Sequence, residues 1–368
     1  MNTPKTRRPS RLPLTWVKIW LWLPALVLSL LLLPAAAGIL HAQPEKPGRE
    51  AQEKSLLILR NGGRVAGITP QTGGRIVLYR SEAGPNMLDE RPELWGEATP
   101  TDMSVRPWKQ YYGESAWAGP QSDWWSSREP YPPEPLPAKA GQPPAASPHW
   151  PPDPSWEMGD YKVVRRSESR VVLQSPVSAL TGLQLTKTVE LRPDGILVLQ
   201  VSAVNRGDRV VTRNLWMLTR VPLSVRCFVP VTEEKVEEGF TKIASISKHQ
   251  GITDFIINRG PGEATGSGKL AGTGSAGWMA TATHEQFFII RFPLIESSKV
   301  PPGCTPIIVF CTTIWPVLEL EHHGPLTELK PGQSMTREQT WQIIPNPGLA
   351  SAEEQSRFLR TKVLPELP

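Results

Sequence analysis

The residues best suited to chemistry lie in one short stretch, Tyr111 to Trp125. Its sequence, YYGESAWAGPQSDWW, holds five aromatic residues together with Glu114, Gln121 and Asp123. Aromatic rings can cover the C–H faces of a sugar, while amides and carboxylates bind its hydroxyl groups. The stretch has neither a helical nor a strand period, so we expect a shaped loop. It predicts a carbohydrate site, and the alternative is that its tryptophans close one end of a β-core.

Two tryptophans are the rings that we expect to stack on a ligand. They are Trp117, in the segment AWAGP, and Trp216, in the segment NLW. Trp124 and Trp125 are adjacent, so we do not expect both of them to face one ligand. Burial in the core is the alternative interpretation for each ring.

Other kinds of chemistry have less support in the sequence. Ser115 and Ser122 lie outside any G-x-S-x-G elbow, so a serine hydrolase is not expected. His322 and His323 are neighbours on a predicted strand, where adjacent side chains point to opposite faces and cannot chelate one ion. The sequence contains no C-x-x-C or HExxH motif. We therefore expect neither a metal nor a cofactor.

Strands must position these residues, because strand patterns dominate the chain from Trp156 onward. Leu183 to Leu191 alternates, Arg192 to Gly195 (RPDG) is typical of a turn, and Ile196 to Val204 returns as the partner strand. About a dozen such strands, without a sequence repeat or crossover helices, predict an all-β fold that forms one large antiparallel sandwich. One short helix is predicted near the C-terminus, where Ser351 and Glu354 fit a capping box.

Two regions are predicted to lie outside the sheets. Residues 128–155 are rich in proline, which lacks the N–H that a central strand needs, and we predict a surface insertion there. Gly260 to Gly277 is rich in glycine and poor in apolar residues, which predicts a flexible loop. The predicted sandwich domain spans 55–345, and a helical tail occupies 346–368.

The beginning of the chain predicts export. Residues 1–42 contain five basic residues and no acidic one, with an apolar run from Ile19 to Leu33 and small residues before Ala42. This order is typical of a signal peptide that is cleaved near Ala42, followed by a linker over residues 43–54. The protein would then be periplasmic or secreted. The alternative is an uncleaved membrane anchor, because Ile19 to Leu40 is long enough to span a bilayer.

Charge and cysteine content narrow the possible partners. Without the five basic residues of the N-terminal segment, 35 of the 40 Lys and Arg remain, against 35 Asp and Glu. A chain so balanced has no bulk attraction to nucleic acid, so no nucleic-acid partner is expected.

Cys304 and Cys311 flank an extended segment of roughly 23 Å, too long for a disulfide. With Cys227 they are expected to be buried single thiols.

Three segments together resemble the aldose 1-epimerase (galactose mutarotase) superfamily. They are GGRIVLYRSEAGPNMLDE, VELRPDGILVLQVSAVNRGDRVVTRNLWMLTRVP and LELEHHGPLTELKPGQSMTREQTWQI, in the family's order and spacing. The likeness is greatest to a bacterial family known as a domain of unknown function of the 4380 type. It covers residues 55–345 and implies the galactose mutarotase-like supersandwich.

The resemblance also implies a mechanism, which this sequence follows only in part. In that superfamily a base takes the proton of the anomeric hydroxyl and an acid protonates the ring oxygen. Glu321 stands at the position of the family's glutamate, with Glu319 as a rival on the same strand face. The two upstream segments that hold the family's histidines contain none here: Glu114 or Ser115 stands in one, and Thr219 in the other.

These observations lead to one main expectation and one alternative. We expect an exported carbohydrate-binding protein with a mutarotase-like cleft, in which Glu321 is the candidate catalytic residue of an epimerase-like or other carbohydrate-active enzyme. The expected ligand-binding residues are Glu114, Trp117, Gln121, Asp123, Trp216 and Arg220. The alternative is a non-catalytic structural or accessory protein of the cell envelope.

Overall fold

The structure of the protein is a computed structural model, which describes residues 52–97, 110–124, 152–260 and 262–363. The predicted signal peptide, most of the linker and most of the proline-rich insertion lie outside these residues. Within them the chain forms three antiparallel sheets and a few short helices. The predicted all-β sandwich with a short C-terminal helix is confirmed.

The strands are, in chain order, β1 (Leu57–Asn61), β2 (Arg64–Thr69), β3 (Arg75–Ser81), β4 (Glu114–Gly119), β5 (Lys162–Arg166), β6 (Arg170–Gln174), β7 (Leu183–Leu191), β8 (Leu197–Asn205), β9 (Val211–Arg220), β10 (Arg226–Val229), β11 (Val231–Val236), β12 (Ala244–His249), β13 (Ile252–Ile257), β14 (Ser267–Gly274), β15 (Trp278–Ala282), β16 (Gln286–Arg291), β17 (Ile307–Thr312), β18 (Val317–His323), β19 (Thr327–Leu329) and β20 (Ser334–Pro345). The α-helices are α1 (Pro154–Glu157), α2 (Glu238–Ile243) and α3 (Ala352–Phe358). Single 3-10 turns lie at Pro92–Leu94, Gln121–Asp123 and Ser297–Lys299, and a π-helical turn at Leu359–Val363.

Two large sheets form the sandwich. The ten-stranded sheet has the order β12-β13-β10-β15-β16-β20-β8-β7-β6-β5. The seven-stranded sheet has the order β11-β14-β17-β18-β9-β19, and β4 pairs with β9 on its other side. The small sheet β1-β2-β3 precedes both in the chain.

Alternating side chains from the two large sheets form one common core. Leu185 and Leu199 come from the ten-stranded sheet, and Met217 and Leu320 from the seven-stranded sheet, and all four belong to one buried cluster. On β7 and β8 every second residue is buried, which is the pattern that their sequences predicted. The alternate residues of the seven-stranded sheet point away from this core, and we call that surface its outer face.

The structure corrects two predictions about loops. The stretch Tyr111–Trp125 is not a loop throughout, because Glu114–Gly119 is strand β4. All six residues of β4 are buried, so the strand shows no alternation of polar and apolar residues that would reveal it. Within the predicted flexible loop Gly260–Gly277, residues Ser267–Gly274 form β14.

The glycines of β14 fit this strand to its neighbours. A Cβ on Gly268 would lie 2.2 Å from the backbone nitrogen of Phe240, in helix α2. Glycine permits this close approach of two backbones, which is one reason for a glycine inside a strand. The C-terminal helix α3 begins as predicted, since the side chains of Ser351 and Glu354 form a complete capping box. Across the described residues, no helix has both the length and the apolar character needed to cross a bilayer.

Candidate functional site

The outer face of the seven-stranded sheet carries a group of buried charged side chains. On β18, Leu318 and Leu320 enter the common core, so Glu319, Glu321 and His323 point to the outer face. Strand β9 pairs with β18, which places Arg220 opposite Glu319, Leu218 opposite Glu321 and Trp216 opposite His323. Two carboxyl groups of one strand are therefore neighbours on one buried surface.

Glu319 is held by an arginine from the neighbouring strand. The Nε atom of Arg220 lies 2.8 Å from Oε1 of Glu319, and its Nη1 donates to the hydroxyl of Ser115 at 3.0 Å. Ser115 comes from β4, so the ion pair and this hydrogen bond together connect strands β18, β9 and β4. Burial raises the pKa of Glu319, and the positive charge of Arg220 opposes that rise.

Glu321 has a different environment, because its partner is neutral. Its Oε2 accepts a hydrogen bond from the indole nitrogen of Trp216 at 2.8 Å. Burial, and then the nearby charge of Glu319, raise the pKa of Glu321 well above its ordinary range. The two carboxyl groups are thus held differently: Glu319 is paired with a cation, whereas Glu321 tends to keep its proton.

Beside these carboxyl groups lies a tryptophan cluster, which consists of Trp117, Trp124 and Trp216. The ring centroid of Trp117 lies 5.1 Å from the ring centroid of Trp216 and 5.3 Å from that of Trp124, and both ring pairs are edge to face. The indole nitrogen of Trp117 donates to Glu157 at 2.7 Å, and that of Trp124 donates to the carbonyl of Ala118 at 2.6 Å. All three rings are buried. The rings of Trp117 and Trp216, which were expected to stack on a ligand, pack against each other here.

A second region of the outer face is open to solvent, and we call it the open corner. It consists of Lys269 on β14, Phe310 on β17 and Cys304 just before β17, all partly exposed. The register places Lys269 opposite Phe310, and Phe310 opposite Glu319. Cys304 lies within electrostatic range of Lys269 and Glu321, and burial raises the pKa of its thiol. Neither Lys269 nor Phe310 was predicted from the sequence to be a site residue.

The predicted binding residues are distributed unevenly around this face. The structure brings Trp117, Trp216 and Arg220 together with Glu321, while their roles in binding stay predictions. Gln121 and Asp123 lie in the 3-10 turn beyond the end of β4, where Asp123 forms an ion pair with Arg213 at 2.8 Å.

Glu114 does not belong to this surface. It lies one residue before Ser115, so its side chain leaves the opposite face of β4. There it pairs with Lys187 of β7, whose Nζ atom lies 2.9 Å from Oε2. Both side chains are fully buried, so this carboxylate joins the two large sheets. The prediction that Glu114 contacts a ligand is therefore not supported by its position.

The adjacent histidines point to opposite faces, as the sequence predicted. The ring of His322 stacks on Phe292 at 4.0 Å inside the sandwich, and its Nε2 pairs with Gln339 at 2.9 Å. His323 lies on the outer face with its ring centroid 4.6 Å from that of Trp216, and its Nδ1 pairs with the amide of Asn214 at 2.9 Å. Burial lowers the pKa of His323 to about 3, so the ring is neutral near pH 7.

His323 is a histidine of the outer face that the sequence did not predict as a site residue. It lies in the closing segment beside Glu321 and not in the two upstream segments that hold the family's histidines. Within the described ranges, no group of three or more His, Cys, Asp or Glu side chains is arranged to hold a metal ion.

Comparisons with solved structures found several similar proteins. One is a proposed aldose 1-epimerase from Escherichia coli K12, with 14% identity over 79% of this chain and 99% of that chain and a TM-score of 0.44. Another is a galactose mutarotase related enzyme from Lactobacillus acidophilus, with 10% identity over 80% of this chain and 100% of that chain and a TM-score of 0.49. A galactose mutarotase-like protein from Lactobacillus casei has 13% identity over 78% of this chain and 100% of that chain and a TM-score of 0.43.

Sequence comparison identifies the family of this chain. No curated protein matches this chain in sequence. The model of a family described as "Domain of unknown function (DUF4380)" matches residues 56–344, which is most of the chain. This match agrees with the sequence resemblance in both its extent and its family, and the chain therefore belongs to the DUF4380 family.

Proposed function

We propose that this chain is an exported carbohydrate-binding protein whose site is the outer face around Glu319, Glu321 and the open corner. The observation that carries the proposal is the partly exposed ring of Phe310, directly opposite the buried Glu319 in the sheet register. A ring beside carboxyl groups can cover the C–H face of a sugar while the oxygens accept its hydroxyl protons. The sequence resemblance to aldose 1-epimerases implies the same class of ligand.

The polar groups around Phe310 can form hydrogen bonds with the hydroxyl groups of a sugar. One oxygen of Glu321 is bonded to Trp216, and the other makes no hydrogen bond within the described part of the chain. The Arg220–Glu319 pair and the hydroxyl of Ser115 are fixed by mutual contacts, so they form a rigid surface for hydroxyl groups. Such preorganised polar groups beside a ring are typical of small-ligand sites.

Calorimetric titration with a panel of neutral mono- and oligosaccharides tests the binding proposal. Phe310→Ala should weaken binding at least about tenfold, which corresponds to about 1.4 kcal/mol. Trp315→Ala is a matched control, because Trp315 is an exposed aromatic residue in the turn between β17 and β18. A flat titration with every sugar would favour the alternative, a structural or accessory protein of the envelope, to which the close packing of the tryptophan cluster is also suited.

Catalysis is a second candidate function, and the different partners of the two carboxyl groups, Arg220 for Glu319 and Trp216 for Glu321, favour it. A carboxyl that keeps its proton can act as a general acid, while an ionised partner acts as a general base. Glu321 has the raised pKa expected of the acid, and Glu319, paired with Arg220, has the position of the base. Such a pair would supply the proton transfers that open and close a sugar ring without histidines in the upstream segments.

Exchange between the two anomers of a bound sugar, followed by NMR, tests this second candidate. If the pair is catalytic, Glu321→Gln should lower the exchange rate at least about a hundredfold, while sugar binding persists. Binding without any acceleration in the unaltered protein would leave a binding protein and remove the enzymatic function.

Export is the remaining component of the proposal. The basic residues before Lys18, the apolar run Ile19–Leu33 and the small residues before Ala42 support a cleaved signal peptide. Mass spectrometry of the mature protein should then find a chain that begins at Gln43, in the periplasm or the medium. An intact Met1 in the membrane fraction would instead indicate an anchored protein.

A further inference from the structure

Lys269 is a cation of the outer face that lacks a partner. Its side chain points to the same surface as Glu319 and Glu321, because its strand neighbours Gly268 and Leu270 are turned toward the core. Within the described part of the chain, its ammonium group forms neither an ion pair nor a hydrogen bond. The carboxylate of Glu237 lies nearby but accepts the backbone N–H of Lys269, at 3.0 Å.

The other charged groups of this surface are already balanced. Arg220 and Glu319 form an ion pair, so together they carry no net charge. Glu321 is bonded to a neutral indole, and its raised pKa favours the protonated, uncharged form. Among the described residues, Lys269 is therefore a positive charge of this surface that forms no ion pair with a carboxylate. Because its side chain is partly exposed, its ammonium group is free to pair with a ligand that brings a negative charge.

We infer that the site prefers a carbohydrate that carries a carboxylate, a uronic acid, and that Lys269 binds this carboxylate. The inference rests on the proposed carbohydrate-binding function and adds the ligand class to it. In this arrangement the sugar ring lies on Phe310, its hydroxyl groups face Glu319 and Glu321, and its carboxylate points to Lys269.

The spacing of the strands is suited to such a ligand. Lys269 and Glu319 lie on strands separated only by β17, and Phe310 occupies the position between them. Two strand spacings place the two backbones roughly 10 Å apart. Side chains from both sides can therefore reach one sugar ring that covers the central aromatic residue.

Calorimetry at low ionic strength with D-galacturonate and D-glucuronate, beside D-galactose and D-glucose, tests the inference on the full mature protein. We expect at least one uronate to bind about tenfold or more tightly than its neutral counterpart, which corresponds to about 1.4 kcal/mol. Lys269→Met should abolish this preference, because the carboxylate loses its cation, and Lys269→Arg should retain it. Added salt should reduce the preference, because it screens the charge pair.

Lys162→Met is the matched control, because Lys162 is an exposed lysine on β5, the edge strand of the ten-stranded sheet. It should leave the preference unchanged. Equal affinities for uronate and neutral sugar would overturn the role of Lys269 and leave the proposed function standing. A uronate preference that survives in Lys269→Met would also overturn it, since the carboxylate would then be recognised elsewhere. If no sugar binds at all, both proposals fail.

Discussion

Two regions of one sheet surface differ in a way that the sequence conceals. The tryptophan cluster and the open corner both lie on the outer face, on either side of the Glu319–Glu321 pair. The three rings of the first are buried against one another, whereas Lys269, Phe310 and Cys304 of the second are partly exposed. The density of aromatic residues in the sequence therefore marks the closed region, and the ring available to a ligand lies in the other.

The difference arises from what covers each side of the sheet. At the β4 side, the 3-10 turn Gln121–Asp123 leads directly into Trp124, and Glu157 of helix α1 accepts the indole N–H of Trp117. At the other side, the outward residues that follow Lys269 on β14 are small, namely Ala271 and Thr273. Packing closes one end of the face and leaves the other accessible.

The largest expected effect comes from removing a ring of the tryptophan cluster. Trp216→Ala should lower the free energy of unfolding by about 3–5 kcal/mol, because it leaves a cavity between Trp117, Trp124 and His323. It also removes the hydrogen bond to Glu321. Urea denaturation of the purified variant measures this change.

Phe310→Ala is the matched substitution in the open corner. Its partly exposed ring should contribute less to stability, and we expect a loss of about 1 kcal/mol. Equal losses in the two variants would contradict the division of this face into a closed and an open region.

The pH dependence of stability tests whether Glu321 is as buried as its contacts indicate. A raised pKa means that the folded protein holds a proton which the unfolded chain releases from about pH 4.3 upward. The contribution of Glu321 to the free energy of unfolding is thus fully present below that pH and is lost as the pH rises through the pKa of the folded state. The slope reaches at most about 1.4 kcal/mol per pH unit.

Glu321→Gln removes this proton linkage, so the variant should become more stable relative to the unaltered protein as pH rises from about 4.3. Urea denaturation at several pH values measures the difference. His323, whose pKa is lowered to about 3, and Asp89, whose pKa is raised to about 6, titrate in both proteins, so the difference reports Glu321 together with its neighbour Glu319, whose charge raises the pKa of Glu321. Parallel stability curves would show that this carboxyl is not held as the structure indicates.

The sequence predicted the sandwich because several long strands alternate between polar and apolar residues and the chain lacks crossover helices. Strands such as β7 and β8 alternate strictly, and the RPDG turn between them sets their register. Strand β4 is buried on both faces, and three of the four core-facing residues of β14 are glycines, so neither sequence shows an alternation of polar and apolar residues. Both strands belong to the seven-stranded sheet, and its outer face was therefore predicted less well than the core.

Some of the site residues could be predicted from the sequence, and others could not. Glu321 and Arg220 were placed by a family pattern, and the structure brings them to one surface. Glu114 was predicted on the wrong face of the sheet. Adjacent strand residues point to opposite faces, so its direction could be predicted only if Glu114–Gly119 were recognised as strand β4. Phe310 lies in the apolar run IIVF, where sequence does not reveal which side chain remains accessible.

The smallest expected effect is a difference in the reactivity of the three thiols. Cys304 is partly exposed in the open corner, while Cys227 and Cys311 are fully buried in the core. N-ethylmaleimide should therefore label Cys304 alone in the folded protein, and slowly, because burial raises the pKa of this thiol and the thiolate is the reactive form. Peptide mass mapping should find Cys227 and Cys311 labelled only after unfolding in urea. A sugar bound in the open corner should slow the labelling of Cys304 further, whereas equal labelling of all three cysteines in the folded protein would contradict the distinction between open corner and core.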